Sequence, residues 1–153
     1  MKTFLILSDS HGNLPVLQKL RGIMSECDYI IHLGDYYHDT YSFSQEFCEK
    51  IYAVKGNCDG GGEDLVFEAC GKKILLTHGD RYSVKTSLYK LTLKAKEIGA
   101  DIVLFGHTHR SEITEIDGIT FINPGTLSVY GDTTYAYMVI SGSKVIAKIV
   151  NIQ

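Results

Sequence analysis

The stretch Thr3-Phe4-Leu5-Ile6-Leu7-Ser8-Asp9-Ser10-His11-Gly12 changes abruptly from apolar to polar side chains. The continuous apolar run over residues 3–7 predicts a strand buried on both faces, as in a parallel sheet. Apolar residues then recur at helical spacing, with Asn13 placed as the N-cap and Pro15 in the first turn. The apolar positions of this predicted helix are Leu14, Leu17, Leu20, Ile23 and Met24.

The same order of elements repeats further along the first half. Tyr29–Leu33 is a second buried run, which ends at Gly34-Asp35, and a weaker helix is expected over about Ser42–Glu49. Ile51–Val54 is a third run, which ends at Gly56-Asn57. The pattern predicts a β-α-β-α-β unit with a polar cluster after each strand, at the sheet edge where α/β proteins bind ligands.

The second half is rich in predicted hairpins. Their strand pairs are Leu65–Ala69 with Lys73–Thr77 around Gly71, Glu112–Ile116 with Thr120–Ile122 around Asp117-Gly118, and Thr134–Ile140 with Lys144–Val150. Between them lie an expected helix over Val84–Ile98, closed by Gly99, and a buried strand over Ile102–Phe105. An α/β half followed by hairpins predicts two stacked sheets with helices outside them.

Composition limits the class of protein. With 153 residues, 44% apolar residues, 22% charged residues and a net charge of −3, the chain fits one folded domain over residues 1–153. The mild acidity argues against a general nucleic-acid binder, which needs a basic face. A local basic stretch has helical spacing, so we interpret it as a solvated helix face. It contains Arg81, Lys85, Lys90, Lys94 and Lys96.

Targeting and redox signals are weak. The apolar part of the N-terminus is shorter than the roughly 7–15 residues of a secretory signal, and no run is long enough to span a membrane. The cysteines Cys27, Cys48, Cys58 and Cys70 lack C-x-x-C spacing. We therefore expect free thiols and a cytoplasmic protein with no membrane partner.

Seven side chains with oxygen or nitrogen donors follow the ends of five predicted strands: Asp9, His11, Asp35, Asn57, His78, His107 and His109. In extended chain, residues two apart point the same way, so Asp9 with His11, and His107 with His109, can each reach one ion. The carboxylate of Asp35 has two oxygens and can bridge two metals. The set is large enough to hold two divalent ions.

Simpler interpretations exist for each residue alone. A lone Gly-Asp or Gly-Asn pair is usually a turn, and a lone histidine is more often structural than a ligand. Five clusters at five strand ends favour the metal site. By contrast, His32 lies inside an apolar run and is interpreted as packing. His38, in a loop with Tyr36, Tyr37 and Tyr41, either lines the site rim or is simply exposed, and we favour exposure.

These motifs together resemble the calcineurin-like metallophosphoesterases. The resemblance rests on Asp9-x-His11, Gly34-Asp35, Gly56-Asn57, His78 and Gly106-His107-x-His109. Gly56-Asn57-Cys58-Asp59 and Asn123-Pro124-Gly125-Thr126 are similar to the small bacterial and archaeal phosphodiesterases of the YfcE/YsnB type. The resemblance implies an α/β fold, a four-layer α/β/β/α sandwich of two mixed sheets flanked by helices.

The resemblance also implies two metal sites. One would be held by Asp9, His11, Asp35 and His109, and the other by Asp35, Asn57, His78 and His107. Two ions about 3.5–4 Å apart would clamp the phosphoryl oxygens and activate a hydroxide for in-line attack. Asp35 and Asn57 would act through the metals and this hydroxide. Mn²⁺ is the first choice, and Ni, Fe, Zn and Mg also suit N and O donors.

Cys58 departs from the family's phosphomonoesterases, which carry a histidine after the metal-binding asparagine. Two divalent ions, two aspartates and a hydroxide leave the site with a charge of +1, which a phosphodiester monoanion balances and a monoester dianion exceeds. A thiol supplies no compensating cation. We therefore expect a small phosphodiester substrate, with Cys58 adjacent to it. The alternative is that Cys58 is a small filler without a role.

Other interpretations stay open. Asp80 stands where the branch often has a histidine, and Gly60-Gly61-Gly62 is either a flap hinge or, as we prefer, a flexible connector. A phosphomonoesterase on the same site and a non-catalytic scaffold similar to the retromer subunit are the alternative functions. The intact donor set favours an enzyme. Exposed strands and the tyrosine-rich loop suggest a homo-oligomer, a dimer or tetramer.

Overall fold

Within residues 1–152, which the computed structural model describes, ten strands form two five-stranded mixed sheets. The strands are β1 (Lys2–Leu7), β2 (Tyr29–His32), β3 (Ile51–Ala53), β4 (Leu65–Ala69), β5 (Lys72–Leu76), β6 (Ile102–Leu104), β7 (Ser111–Ile116), β8 (Ile119–Pro124), β9 (Thr134–Ser141) and β10 (Lys144–Asn151). The helices are α1 (Leu14–Lys19), α2 (Arg21–Glu26), α3 (Ser44–Phe47) and α4 (Tyr89–Ile98). All ten strands match strands that the sequence predicts.

The first sheet has the order β10-β9-β1-β2-β3, and the second has the order β4-β5-β6-β8-β7. Strands β1, β2 and β3 are parallel, as are β5, β6 and β8, while β4, β7, β9 and β10 pair antiparallel. The parallel strands of each sheet therefore end at one edge, and that edge carries the polar clusters.

Three apolar clusters define four layers. Alternate residues of β1 point to opposite faces, so Phe4 and Ile6 lie between the sheets while Leu5 and Leu7 face the helices. Helices α1, α2 and α3 cover the outer face of the first sheet, and α4 covers that of the second through residues such as Leu91. The expected α/β/β/α sandwich is confirmed.

The first predicted helix is wrong in detail, because the chain forms two short helices. Leu20, with φ −89° and ψ −1°, separates α1 from α2, and the poor helix former Gly22 is the second residue of α2. Asn13 makes no capping hydrogen bond. Its Nδ2 instead donates to the carbonyl of Leu127 over 2.6 Å, so a tertiary contact uses the amide that was expected to cap the helix.

Two other helices are also shorter than predicted. The helix expected over residues 84–98 begins only at Tyr89, after a 3₁₀ turn at Asp80–Tyr82 and a left-handed residue, Ser83. The helix expected over about residues 42–49 is a 3₁₀ segment, Tyr37–Phe43, followed by the single turn of α3. Gly99 closes α4 in the left-handed conformation, as predicted.

The shorter α4 changes the interpretation of the basic stretch. Lys90, Lys94 and Lys96 lie on α4, but Arg81 and Lys85 precede it. The prediction of one solvated helix face is therefore wrong for these two residues.

The predicted turns and thiols are confirmed. Asp117 and Gly118 both have positive φ, as the two-residue hairpin between β7 and β8 requires. The four cysteines are free thiols. None of the helices within residues 1–152 is long and apolar enough to cross a membrane.

Candidate metal centre

The polar clusters after the strand ends converge at one edge of the sandwich. Donor atoms of Asp9, His11, Asp35 and His109 lie within 4.8 Å of one another. Those of Asp35, His78 and His107 form a second group of the same kind. Asp35 belongs to both groups, so the structure brings six of the seven predicted donors into two adjacent constellations.

Asp9 lies at the middle of the first group. Its Oδ1 is 3.1 Å from Nε2 of His109 and 3.9 Å from Nε2 of His11. The other carboxylate of this group, Asp35, has Oδ2 at 3.8 Å from Nε2 of His11. These distances leave space for an ion between the donor atoms and keep every donor atom close to that space.

His78 connects the two groups. Its Nε2 is 3.4 Å from Oδ2 of Asp35, 3.9 Å from Oδ1 of Asp9 and 3.2 Å from Nδ1 of His107. Its other ring nitrogen, Nδ1, donates to the carbonyl of Leu33 over 2.7 Å. That bond fixes the tautomer and leaves the lone pair of Nε2 directed at the site, as in metal-ligating histidines.

Asn57, the seventh donor, is exposed. The next residue, Cys58, donates its backbone N–H to Oδ1 of Asp35 over 2.9 Å. This bond holds the Asn57 turn against the carboxylate that both groups share.

Two buried atoms of the site have no hydrogen-bond partner among the described residues: Oδ1 of Asp9 and Nε2 of His11. A buried carboxylate oxygen without a partner costs free energy, and such groups mark bound ions or functional sites. The other oxygen of Asp9, Oδ2, accepts hydrogen bonds from the Ser8 hydroxyl and the backbone of His107. The side chain is thus fixed with one free oxygen facing nitrogen donors, which fits a divalent cation.

The electrostatics of the site favour positive charge at its centre. Burial opposes protonation of His78, but the neighbouring carboxylates of Asp35 and Asp9 raise its pKa. The adjacent carboxylate of Asp9 also raises the pKa of His109. Burial of Asp35 is outweighed by the nearby imidazole of His78 and the backbone N–H of Cys58, which hold the pKa of Asp35 well below the usual range. The constellation attracts a cation.

Five of the donor residues have left-handed backbone. The φ angles are 52° at Asp9, 43° at His11, 61° at Asp35, 72° at His107 and 62° at His109. Left-handed backbone is strained for residues other than glycine and persists only where the surrounding structure enforces it. The fold therefore tolerates strain at the positions that aim these side chains at one another. The extended backbone expected at these positions is wrong, and His107 and His109 belong to different donor groups, whereas Asp9 and His11 share one as expected.

Glycines leave space for the donors. A Cβ on Gly56 would lie 2.2 Å from Oδ1 of Asp35, and one on Gly106 would lie 2.9 Å from Oδ2 of Asp9. A Cβ on Gly34 would lie 2.8 Å from Nδ1 of His78. At these three positions the backbone approaches the donors too closely for any side chain.

Asp59 is a positioning residue that the sequence did not single out. Its carboxylate accepts backbone N–H groups from Asp35 over 2.8 Å, Tyr36 over 2.9 Å and Gly56 over 2.9 Å. It thereby joins the loops that follow β2 and β3. The sequence signal was its place in Gly56-Asn57-Cys58-Asp59.

A second supporting network involves His32. Its ring is buried, as expected, and Nδ1 accepts the backbone N–H of Gly34 over 3.1 Å. Nε2 therefore carries the proton and lies 2.8 Å from Oγ of Ser10, whose hydroxyl donates to Oδ2 of Asp39 over 2.6 Å. Asp39 also accepts the N–H of Gly12, so the network holds the loop of His11. We interpreted His32 as a packing residue only, but its ring also takes part in this hydrogen-bond network.

The remaining predicted site residues lie around the rim. His38 is exposed, as expected, and its ring centroid is 5.2 Å from that of Tyr36, which is 5.2 Å from His11. Cys58 is exposed. Partial desolvation of its thiol, together with the charge of Asp35, raises the pKa of the thiol. Asp80 lies in the 3₁₀ turn after His78, outside both donor groups.

A family model for the calcineurin-like phosphoesterase superfamily domain matches residues 1–143. The chain belongs to this family. Membership of this family supports a metal-binding hydrolase of phosphoesters.

Individual relatives agree with this assignment. A probable metallophosphoesterase of Bacillus subtilis, YsnB, is 38% identical over 127 residues, which are 80% of this chain and 73% of the relative. A phosphodiesterase of Methanocaldococcus jannaschii is 29% identical and covers 82% of this chain and 84% of its own length. The crystal structure of a predicted phosphoesterase from Streptococcus pneumoniae superposes on this chain with a TM-score of 0.81 at 30% identity. The match covers 98% of this chain and 89% of that chain.

Proposed function

We propose that the protein is a phosphodiesterase that uses two divalent metal ions, with Mn²⁺ as the first candidate. The observation that carries the proposal is the position of Asp35, whose carboxylate belongs to both donor groups. A carboxylate shared in this way suits two neighbouring cations. The domain over residues 1–153 would act as one catalytic unit.

The donors divide between the two ions as the family pattern suggests. Asp9, His11, Asp35 and His109 would hold one ion, and Asp35, Asn57, His78 and His107 would hold the other. Bound ions of this kind neutralise phosphoryl oxygens and lower the pKa of water, which supplies the nucleophile for in-line displacement.

The chain's own groups would prepare this site. Leu33 fixes the tautomer of His78, and Asp59 fixes the backbone of Asp35. Burial of Asp9 and Asp35 lowers the local dielectric, so their charges act strongly on cations and on substrate.

Cys58 favours a diester over a monoester in this proposal. It follows Asn57 and is exposed to an incoming substrate. Its raised pKa keeps the thiol neutral near neutral pH, so it adds no positive charge for a monoester dianion. A monoanionic diester matches the charge of the site without such help.

Hydrolysis of bis(p-nitrophenyl) phosphate and p-nitrophenyl phosphate tests the function. Protein stripped with a chelator should be inactive, and Mn²⁺ should restore hydrolysis with the diester strongly preferred. Cys58→His should shift the diester-to-monoester rate ratio at least tenfold toward the monoester, whereas Cys48→His, at another exposed cysteine, should not. An unchanged ratio would refute the role of Cys58, and inactivity of the Mn²⁺-loaded protein would refute the enzyme.

A non-catalytic scaffold is the less supported alternative, because a scaffold has no need to keep a buried carboxylate oxygen of Asp9 without a hydrogen-bond partner. A phosphomonoesterase is disfavoured by Cys58. The cytoplasmic location and the homo-oligomer stay predictions of the sequence.

A further inference from the structure

A cleft of about 470 Å³ opens beside the candidate metal centre. Its lining residues are Val84, Lys85, Thr108, Arg110, Ser111 and Glu112. Thr108 and Arg110 are the chain neighbours of His109, whose side chain is 44% exposed. The cleft therefore adjoins the chain segment that carries His109, one of the donors of the metal centre.

The cleft carries two cations that the fold does not use. Neither Lys85 nor Arg110 forms an ion pair with any residue in the described range 1–152. By contrast, Arg81 pairs with Asp64 at 2.6 Å and Lys96 pairs with Asp117 at 2.5 Å. Lys90 also has no ion pair within the described range, but it lies outside the cleft.

The lining of the cleft is positively charged overall. Glu112 is the one carboxylate among the lining residues, so the lining has a surplus of one positive charge.

The positive charges of Lys85 and Arg110 are not needed to balance the negative charge of a scissile diester at the metal centre. A phosphodiester monoanion already balances two divalent ions, the carboxylates of Asp9 and Asp35, and a hydroxide. Arg110 presents a planar fork of donors that suits phosphate, and Lys85 offers a flexible point charge. An anionic group at a fixed distance from the scissile phosphorus would accept hydrogen bonds from both Arg110 and Lys85.

We propose that the cleft lined by Lys85 and Arg110 is a subsite for a second phosphate, so that the substrate is a phosphodiester bearing a further phosphate group. The proposal rests on the proposed diesterase function and names the class of substrate. The metal centre holds the scissile diester, and the cleft selects molecules whose second phosphate lies within its reach.

Binding measurements with a series of matched ligands test the subsite without requiring turnover. Calorimetry on Mn²⁺-loaded protein would compare bisphosphates of ethanediol, butanediol and hexanediol with the corresponding alkyl monophosphates. At one or more lengths the bisphosphate should bind about tenfold more tightly, the gain expected from charge-assisted hydrogen bonds to one phosphate. That gain should disappear in Arg110→Gln and shrink in Lys85→Gln.

Two matched variants control for general charge. Lys90→Gln removes an exposed lysine of α4 outside the cleft and should leave the gain intact, while Glu112→Gln removes the opposing carboxylate and should increase it. Equal affinity for monophosphates and bisphosphates at every length, or an equal loss in Lys90→Gln and Arg110→Gln, would overturn the subsite. Because binding is measured separately from hydrolysis, failure of the subsite is distinguishable from failure of the proposed diesterase.

Discussion

Nε2 of His109 lies 3.1 Å from Oδ1 of Asp9, and that oxygen is buried with no hydrogen-bond partner among residues 1–152. The side chain of Asp9 cannot turn the oxygen toward water, because the Ser8 hydroxyl and the His107 backbone hold Oδ2 in place. The folded protein thus keeps an uncompensated negative charge facing imidazole nitrogens. A cation bound there would supply the missing partner.

We therefore expect Mn²⁺ to stabilise the native protein and Asp9→Asn to abolish that effect. At a free metal concentration one hundred times the dissociation constant, binding contributes about 2.7 kcal/mol. For a chain of this size that energy corresponds to a rise in Tm of roughly 5–10 °C. Differential scanning calorimetry with and without Mn²⁺ measures it.

The exposed Asp132 provides the control for this prediction. Asp132→Asn should show the full metal-dependent rise in Tm. If Asp9→Asn is stabilised by Mn²⁺ as much as the wild type, Asp9 is not a ligand.

A second prediction concerns Asp59, which accepts three backbone N–H groups from the two loops beside it. Asp59→Ala leaves these donors without their charged partner, and we expect a loss of about 3 kcal/mol in the free energy of unfolding. Because the bonds position Asp35 and Gly56, metal binding should weaken as well. Urea denaturation and equilibrium dialysis against Mn²⁺ measure the two effects.

Asp59→Asn keeps one acceptor oxygen and should lie between the wild type and Asp59→Ala in both measurements. Full stability of Asp59→Ala would contradict the role of the carboxylate as the link between these loops.

The sequence predicted the strands and the donors because both depend on local patterns. Continuous apolar runs mark the buried strands, and each run ends where a polar residue must leave the sheet. Since parallel strands end at one edge and β1 pairs with β2, Asp9 and Asp35 are neighbours.

Helix boundaries were not predictable in the same way, because tertiary contacts decide them. Asp64 pairs with Arg81 and accepts a hydrogen bond from Tyr82, and these contacts fix the 3₁₀ turn just before the predicted helix. The hydrogen-bond network of Ser10, His32 and Asp39 could not be predicted from the sequence either. It joins residues that are distant in the chain and do not form a recognisable motif.

A third prediction uses the absence of a side chain at Gly56. Its φ of −95° is open to any residue, so alanine there would suffer only from lack of space, with Cβ 2.2 Å from Oδ1 of Asp35. Gly56→Ala should displace the Asp35 carboxylate and lower Mn²⁺ affinity at least tenfold. Isothermal titration calorimetry measures the affinity.

Gly22 is the matched control, because it lies in α2 and a Cβ added there would meet nothing within 4 Å. Gly22→Ala should leave Mn²⁺ affinity unchanged and stabilise the fold by about 0.5–1 kcal/mol through helix propensity. Wild-type affinity in Gly56→Ala would show that the donors do not need the close approach.

The last prediction follows from the burial of His32, which lowers its pKa from 6.5 to about 4. The unfolded chain binds a proton at this residue below pH 6.5, while the folded protein does not until about pH 4. The free energy of unfolding therefore falls as the pH drops through this window, and it is unaffected above it. The shift corresponds to a loss of about 3 kcal/mol at the acid end.

Urea denaturation of metal-free protein between pH 7.5 and pH 4.5 measures this loss once other titrating groups are subtracted. His32→Asn retains an acceptor for the N–H of Gly34 but cannot titrate, so its stability should depend less on pH than that of the wild type. His38→Asn, at an exposed histidine, should follow the wild-type profile. Parallel profiles for His32→Asn and the wild type would mean that His32 binds its proton at the same pH in the folded and unfolded protein, and the protonated ring could not accept the N–H of Gly34 at Nδ1.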